Sequence, residues 1–269
     1  MNLPRAGAVG RRTAGLCFAR LKRIGHKGAD AIRPGNTLES FKAAVAAGVE
    51  MIELDVLRPR SDFRDGRDWR RAPAGPASTP GGPLLVAHDW ADAARREPLT
   101  LEETLDSFTR APLDRVEFDC DLKIAGREDE LVSALRDREL LARARISTMY
   151  ASSLAEVRRI EPALRRGWTL PKISRDWAQI PWAKPLVAAG MVSMRRRLPR
   201  IVRRRAEGLG VSSVWAYHPL ITARLAAQCH DAGLELIAWT VDDLPRMRAL
   251  AGLGVDGICT NDPRLFDGL

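Results

Sequence analysis

Short apolar runs alternate with segments of helical period along almost the whole chain. Eight runs read as strands: 21–26, 51–56, 83–88, 115–123, 145–151, 211–217, 234–241 and 255–260. Between most of them lie helix-like segments. The clearest is NTLESFKAAVAAG, in which Asn36 is placed to cap, Glu39 takes the capping-box position, Leu38, Phe41 and Val45 share a stripe, and Gly48 suits the stop. The segments EDELVSALRDREL, SLAEVRRIEPAL, ITARLAAQCHDAG and DLPRMRALAGLG keep the same period. Repeated strand–helix units favour an α/β fold with a mainly parallel sheet. Eight strands in roughly 250 residues fit a (β/α)8 TIM barrel. A doubly wound sheet is the alternative, but no GxGxxG turn follows a strand.

The chain has 269 residues and is 45% hydrophobic, enough for one large domain, 1–269, with a barrel core at about 21–263. One connection is long. Residues 58–83, rich in Pro, Gly and Arg, form an insertion after the second strand that reads either as a surface loop or as a lid. Cys17, Cys120, Cys229 and Cys259 are scattered with no CxxC pair, which argues against a zinc ribbon or disulfide framework and suits a reducing compartment. No stretch approaches the roughly 20 apolar residues of a membrane span, and the N-terminal region lacks a continuous apolar signal core; a cytoplasmic location is expected. The net charge of +9 points to anionic partners (phosphorylated substrates, lipid headgroups or nucleic acid) or to nothing more than an arginine-rich composition.

Polar residues interrupt the strands in a pattern. In a barrel strand alternate residues face inward, and those at the carboxyl end reach the mouth. Glu53 and Asp55 share one face of the second run; Glu117, Asp119, Asp121 and Lys123 share one face of the fourth; His26 and His88 end two others. If the first four strands are neighbours, His26, Glu53, Asp55, His88, Asp121 and Lys123 converge on one rim. Burying so many charges uncompensated is costly. Three carboxylates in one mouth call for a cation, and hard oxygen ligands suit Mg2+ or Ca2+.

These residues resemble the glycerophosphodiester phosphodiesterase family of metal-dependent TIM-barrel hydrolases. The resemblance rests on HKG (26–28), PGNT (34–37), ELDV (53–56), HD (88–89), DLK (121–123), WTVD (239–242) and GVDGICTNDP (254–263). It implies hydrolysis of a small-molecule phosphodiester to glycerol 3-phosphate and an alcohol. It also implies Glu53, Asp55 and Asp121 as cation ligands, His26 and His88 as the acid–base pair, Lys27 and Lys123 as phosphate contacts, and Trp239 beside the glycerol. The chain departs from the family in three places. Lys27 stands for arginine, losing a bidentate fork; Gly35 stands for the glutamate of Pro-Glu-Asn-Thr; Asp121 stands for glutamate.

Residues 177–208 carry Met191, Met194, Leu198, Ile201 and Val202 at helical spacing among Arg195–Arg197, Arg200 and Arg203–Arg205, with Trp177 and Trp182 nearby. They read as an outer barrel helix, or as a basic amphipathic surface for peripheral contact with anionic membrane that would favour lysophospholipids. Pro199 argues against one unbroken helix. Nucleic acid is not expected, because an acidic mouth repels phosphate unless a cation is present. A non-catalytic basic binding barrel would explain the charge but not the acidic rim.

Overall fold

A computed structural model describes residues 21–59, 82–172 and 184–269. Eight parallel strands close into a barrel: β1 (Lys22–His26), β2 (Met51–Leu57), β5 (Glu117–Leu122), β6 (Ala144–Thr148), β7 (Arg165–Leu170), β8 (Ser213–Tyr217), β9 (Glu235–Trp239) and β10 (Gly257–Thr260). Each pairs with the next, and β10 returns to β1 with Ile24 opposite Cys259. The chain is a TIM barrel, as the alternation predicts.

The strand set differs from the sequence reading in two places. Residues 83–88 are not a barrel strand. Within them β3 (Leu85–Val86) runs antiparallel to the end of β2 and pairs onward with β4 (Leu99–Thr100). The eighth barrel strand is instead β7, RRGWTL, whose two arginines and glycine hid it from a search for apolar runs. Gly167 is required there: a Cβ would lie 2.6 Å from the Trp215 indole nitrogen and 3.1 Å from the Ser147 Cβ inside the barrel. Most of the 58–83 insertion falls outside the described residues, as do Cys17, Trp177 and Trp182.

Outward-facing strand residues such as Ile52, Leu54, Phe118, Ile146, Val214, Leu236 and Ile258 are buried under the helices. These are α1 (Leu38–Ala46), α3 (Leu101–Phe108), α4 (Glu128–Asp137), α5 (Ala151–Ile160), α6 (Lys184–Leu209), α7 (Ala223–Asp231) and α8 (Leu244–Gly252), with α2 (Trp90–Arg95) beside the hairpin. Inside, Ile24, Met51, Trp215, Ile237 and Cys259 form an apolar layer. Below it the floor is polar: Glu117 takes Lys22 and Arg165, each at 2.9 Å, and buried Arg145 takes Glu235 at 2.5 Å. Cys120, Cys229 and Cys259 are free and buried, and no helix among the described residues is long and apolar enough to cross a membrane.

Candidate active site

Parallel register assembles the mouth. His26 on β1 lies opposite Glu53 on β2, and Asp55 lies opposite Asp121 on β5. Because side chains alternate, Glu53, Asp55 and Asp121 all point inward at the carboxyl ends. One oxygen from each lies within 4.8 Å of the others. Lys123 extends the β5 ladder by donating its N–H to the Val56 carbonyl at 3.0 Å. Its ammonium sits 2.5 Å from Asp55 Oδ1 and 2.6 Å from Asp121 Oδ2.

The electrostatics follow from burial and charge. Burial raises the Glu53 pKa well above its ordinary value, and the Asp55 charge adds to the effect. For Asp55 burial acts the same way, but the Lys123 ammonium and the His88 and His26 imidazoles outweigh it and hold its carboxyl below the usual range. Burial works against the Lys123 charge, and the Asp121, Asp55 and Glu53 carboxylates more than reverse that. Burial also lowers the His26 pKa. Three carboxylates thus face one ammonium. Asp55 Oδ1 is buried with no hydrogen bond of good geometry, its close approach being the Lys123 ion pair alone. A buried all-oxygen cluster with more carboxylates than ammonium groups in direct contact fits a hard divalent cation.

The loop after β1 supports this cluster. Lys27 and Asn36 both take left-handed backbone, with φ of 53° and 59°, and Gly28 has φ 88°. At Gly28 a Cβ would lie 2.6 Å from Ser40 Oγ, so the turn admits only glycine. The Lys27 N–H donates to Glu53 Oε2 at 2.9 Å. Fully buried Asn36 donates through Nδ2 to Asp55 Oδ2 at 2.8 Å and accepts from the Asp55 N–H at 3.1 Å. Asn36 is therefore not the cap of α1. Thr37 caps it, accepting from the Ser40 N–H at 3.2 Å. The space beside Gly35 is not vacant: Asp30 accepts from the Gly35 N–H at 2.6 Å, and its Oδ2 pairs with Lys27 Nζ at 2.6 Å. The Lys27 ammonium is thereby engaged by a neighbouring carboxylate. Asp30 and Asn36 escaped the sequence reading because their roles depend on left-handed turns that bring residues 27–36 back over β2.

His88 reaches the mouth by another route than the one expected. It follows β3 in the antiparallel hairpin, more than half exposed, with its Nδ1 3.2 Å from Asp89 Oδ2. Asp89 caps α2, and Arg96 ties that helix to the Asn36 carbonyl at 3.2 Å. Trp239 ends β9 on another side of the mouth, 5.7 Å from the Tyr217 ring, its buried indole nitrogen without a hydrogen-bond partner among the described residues. Asp119 points inward one layer below Asp121; it accepts from Ser147 Oγ at 2.6 Å, and burial pushes its pKa up to about 7.

The sequence model described as the glycerophosphoryl diester phosphodiesterase family matches residues 26–61 and 123–265. His26, Lys27, Glu53, Asp55, Lys123 and Trp239 lie inside the match; His88 and Asp121 lie outside it. A glycerophosphodiester phosphodiesterase of Caldanaerobacter subterraneus subsp. tengcongensis is 26% identical over 281 aligned positions, covering 91% of this chain and 96% of that protein. Glycerophosphodiester phosphodiesterase GDPD4 of Arabidopsis thaliana is 43% identical over 60 residues, 22% of this chain and 18% of that protein. An Oleispira antarctica phosphodiesterase, solved with the product sn-glycerol-3-phosphate, superposes with a TM-score of 0.61 at 17% identity, covering 92% of this chain and 95% of that one.

Proposed function

The chain belongs to the glycerophosphoryl diester phosphodiesterase family, and on that premise we propose that it hydrolyses glycerophosphodiesters to glycerol 3-phosphate and an alcohol. One observation carries the reading: the inward cluster of Glu53, Asp55 and Asp121 around Lys123, flanked by His26 and His88.

The chemistry needs charge neutralisation and two proton transfers. A phosphodiester anion repels nucleophiles, and its alkoxide leaving group is poor. Glu53, Asp55 and Asp121 would hold a divalent cation, Mg2+ or Ca2+. When bound, that ion supplies electrostatic stabilisation of the phosphoryl oxygens. Lys123 adds a second positive charge in a dry site, where it acts more strongly than in water. His26 and His88, both near enough to Asp55 to help hold its carboxyl below the usual range, divide the acid and base work. Trp239 and Tyr217 present an aromatic wall to the organic part of the substrate.

The test is product analysis with glycerophosphocholine. Release of glycerol 3-phosphate and choline is expected, lost in excess chelator and in Asp55→Asn with the fold retained. Full turnover in excess chelator would remove the cation from the reading. His26→Ala and His88→Ala are each expected to cost on the order of 10²-fold in turnover. A substrate with an acidic leaving group should restore part of the loss in whichever variant lacks the general acid.

A second reading, peripheral contact with anionic membrane, is favoured by α6. At 26 residues it far exceeds the nine or ten of α4, α5 and α7, and its length of about 39 Å outruns the barrel wall. Its carboxyl half is buried on the barrel through Leu198, Val202 and Ala206; in the other half Met191 is partly buried against the same core, while Leu186 and Val192 are 68% and 50% exposed. That half lies toward the mouth, because α6 runs back from the carboxyl end of β7. Leu186, Val192 and Met194 beside Arg195–Arg197 would suit a lipid surface. Anionic vesicles should then raise hydrolysis of lysophospholipid, raised salt should cancel the gain, and replacing Arg195, Arg196 and Arg197 by Gln should abolish it without lowering activity on glycerophosphocholine.

A further inference from the structure

Two motifs at the far side of the mouth, WTVD and TNDP, meet at His26. His26 Nδ1 lies 2.7 Å from Asn261 Oδ1. The other end of that amide, Nδ2, donates to Asp242 Oδ2 at 2.7 Å. Asp242 Oδ1 accepts from the Asn261 N–H at 2.8 Å and from Thr260 Oγ1 at 3.0 Å. A carboxylate only accepts, so the amide NH2 must face Asp242 and the amide oxygen must face His26. An amide oxygen also only accepts, so the proton of a neutral His26 must sit on Nδ1. The opposite nitrogen, Nε2, faces the acidic cluster. The Glu53 Oε2 atom is 3.9 Å from it, beyond hydrogen-bond length, so no protein hydrogen bond among the described residues holds a proton there.

We infer that Asn261, itself oriented by Asp242, is a positioning residue that holds His26 as the Nδ1–H tautomer and leaves its Nε2 lone pair free toward the acidic cluster. The amide's second anchor is the backbone: the Asn261 carbonyl accepts from the Ala31 N–H at 3.0 Å, which ties the residue to the loop carrying Asp30 and Asn36. The inference deepens the phosphodiesterase reading, which supplies the reacting group. There, Nε2 takes the O–H proton of the attacking water or substrate hydroxyl as that oxygen bonds to phosphorus. The bond from phosphorus to the leaving oxygen breaks, and the leaving alcohol takes its proton from His88, the other member of the pair. The resulting His26 imidazolium keeps its Nδ1–H bond to Asn261.

The test begins without substrate. Two-bond proton–nitrogen correlation spectra of 15N-histidine-labelled protein, recorded in chelator at pH 8 and assigned by loss of one imidazole in His26→Gln, report the tautomer directly. The Nδ1–H form of His26 is expected in the wild type. In Asn261→Leu it should give way to the Nε2–H form, while the spectra of His218 and His230 stay unchanged. On glycerophosphocholine the same variant should lose kcat on the order of 10²-fold with KM within about twofold, as for a misdirected proton acceptor. A wild-type His26 protonated on Nε2, or an Asn261→Leu variant that keeps both the wild-type tautomer and kcat, overturns the inference. Should the wild type turn over no phosphodiester, the functional reading fails while the spectra still decide the role of Asn261.

Discussion

Lys123 and Asn36 carry the local electrostatics of the mouth. Lys123 is buried between Asp55 and Asp121, and removing one partner of a buried pair leaves like charges facing each other. Lys123→Met is therefore expected to lower stability by about 3–5 kcal/mol in chelator, measured by urea unfolding at pH 7. Added Ca2+ or Mg2+ should raise its melting temperature more than that of the wild type, because the cation then answers carboxylates that no ammonium neutralises. Asn36 holds Asp55 through a reciprocal pair of hydrogen bonds. Asn36→Leu, which leaves a buried carboxylate oxygen and N–H without that partner, should abolish the gain in melting temperature on adding divalent cation. In a thermal scan an undiminished gain would release Asn36 from any part in holding Asp55.

Individual elements owe their ends to short side-chain contacts. α3 opens with a reciprocal box in which Thr100 accepts from the Glu103 N–H at 3.2 Å and the Glu103 carboxylate accepts from the Thr100 N–H at 2.9 Å. Thr100→Ala should cost about 1 kcal/mol of stability and leave turnover unchanged, since α3 lies on the barrel's outside. The Glu103 bonds hold its pKa below the ordinary value. A carboxylate with a depressed folded pKa contributes stability above its unfolded value of about 4.3 and loses it as pH falls through the folded value. The stability gap between wild type and Glu103→Gln, read from urea melts, should thus narrow between pH 5 and pH 3. α6 shows the opposite outcome at a proline. It continues through buried Pro199, although proline withholds the N–H that the Arg195 carbonyl would otherwise accept. The amphipathic period was readable; the survival of the helix was not, because it depends on the barrel holding Leu198, Val202 and Ala206 on the inner face.

Across the molecule, the same inward-facing rows carry charge at both ends for different reasons. At the floor Glu117 is answered by Lys22 and Arg165; at the mouth, among the described residues, Lys123 is the ammonium in direct contact with Asp55 and Asp121. The imbalance is at the mouth, so a cation that binds there stabilises the fold by mass action, by about 2.7 kcal/mol at a hundred times its dissociation constant. The melting temperature should rise with added divalent cation and should not rise in Asp55→Asn. Glu117→Gln should lower stability by about 1 kcal/mol while leaving kcat and the cation response intact. Equal loss of cation response in both variants would put the site elsewhere than the mouth.

The alternation of apolar runs and helical periods was enough to establish the barrel class, because each buried face must recur with the period of its own backbone. The i, i+2 spacing of Glu53 and Asp55, and of Asp121 and Lys123, likewise placed each pair on one side of a strand before any partner was known. Tertiary structure decided which strand counts. β7 is polar enough to be invisible as a strand and is held by its neighbours on both sides, whereas residues 83–88 look like a barrel strand but are turned aside into a hairpin. It also decided which charges are catalytic candidates and which are floor. Glu117, Asp119 and Asp121 are equivalent by spacing and differ only in depth along a strand whose register is set by β2. Asn36, Asp30 and Asn261 acquire their roles through contacts 19, 3 and 235 positions away in sequence. Periodicity records which way a side chain faces, but not which residue the closed barrel will bring to meet it.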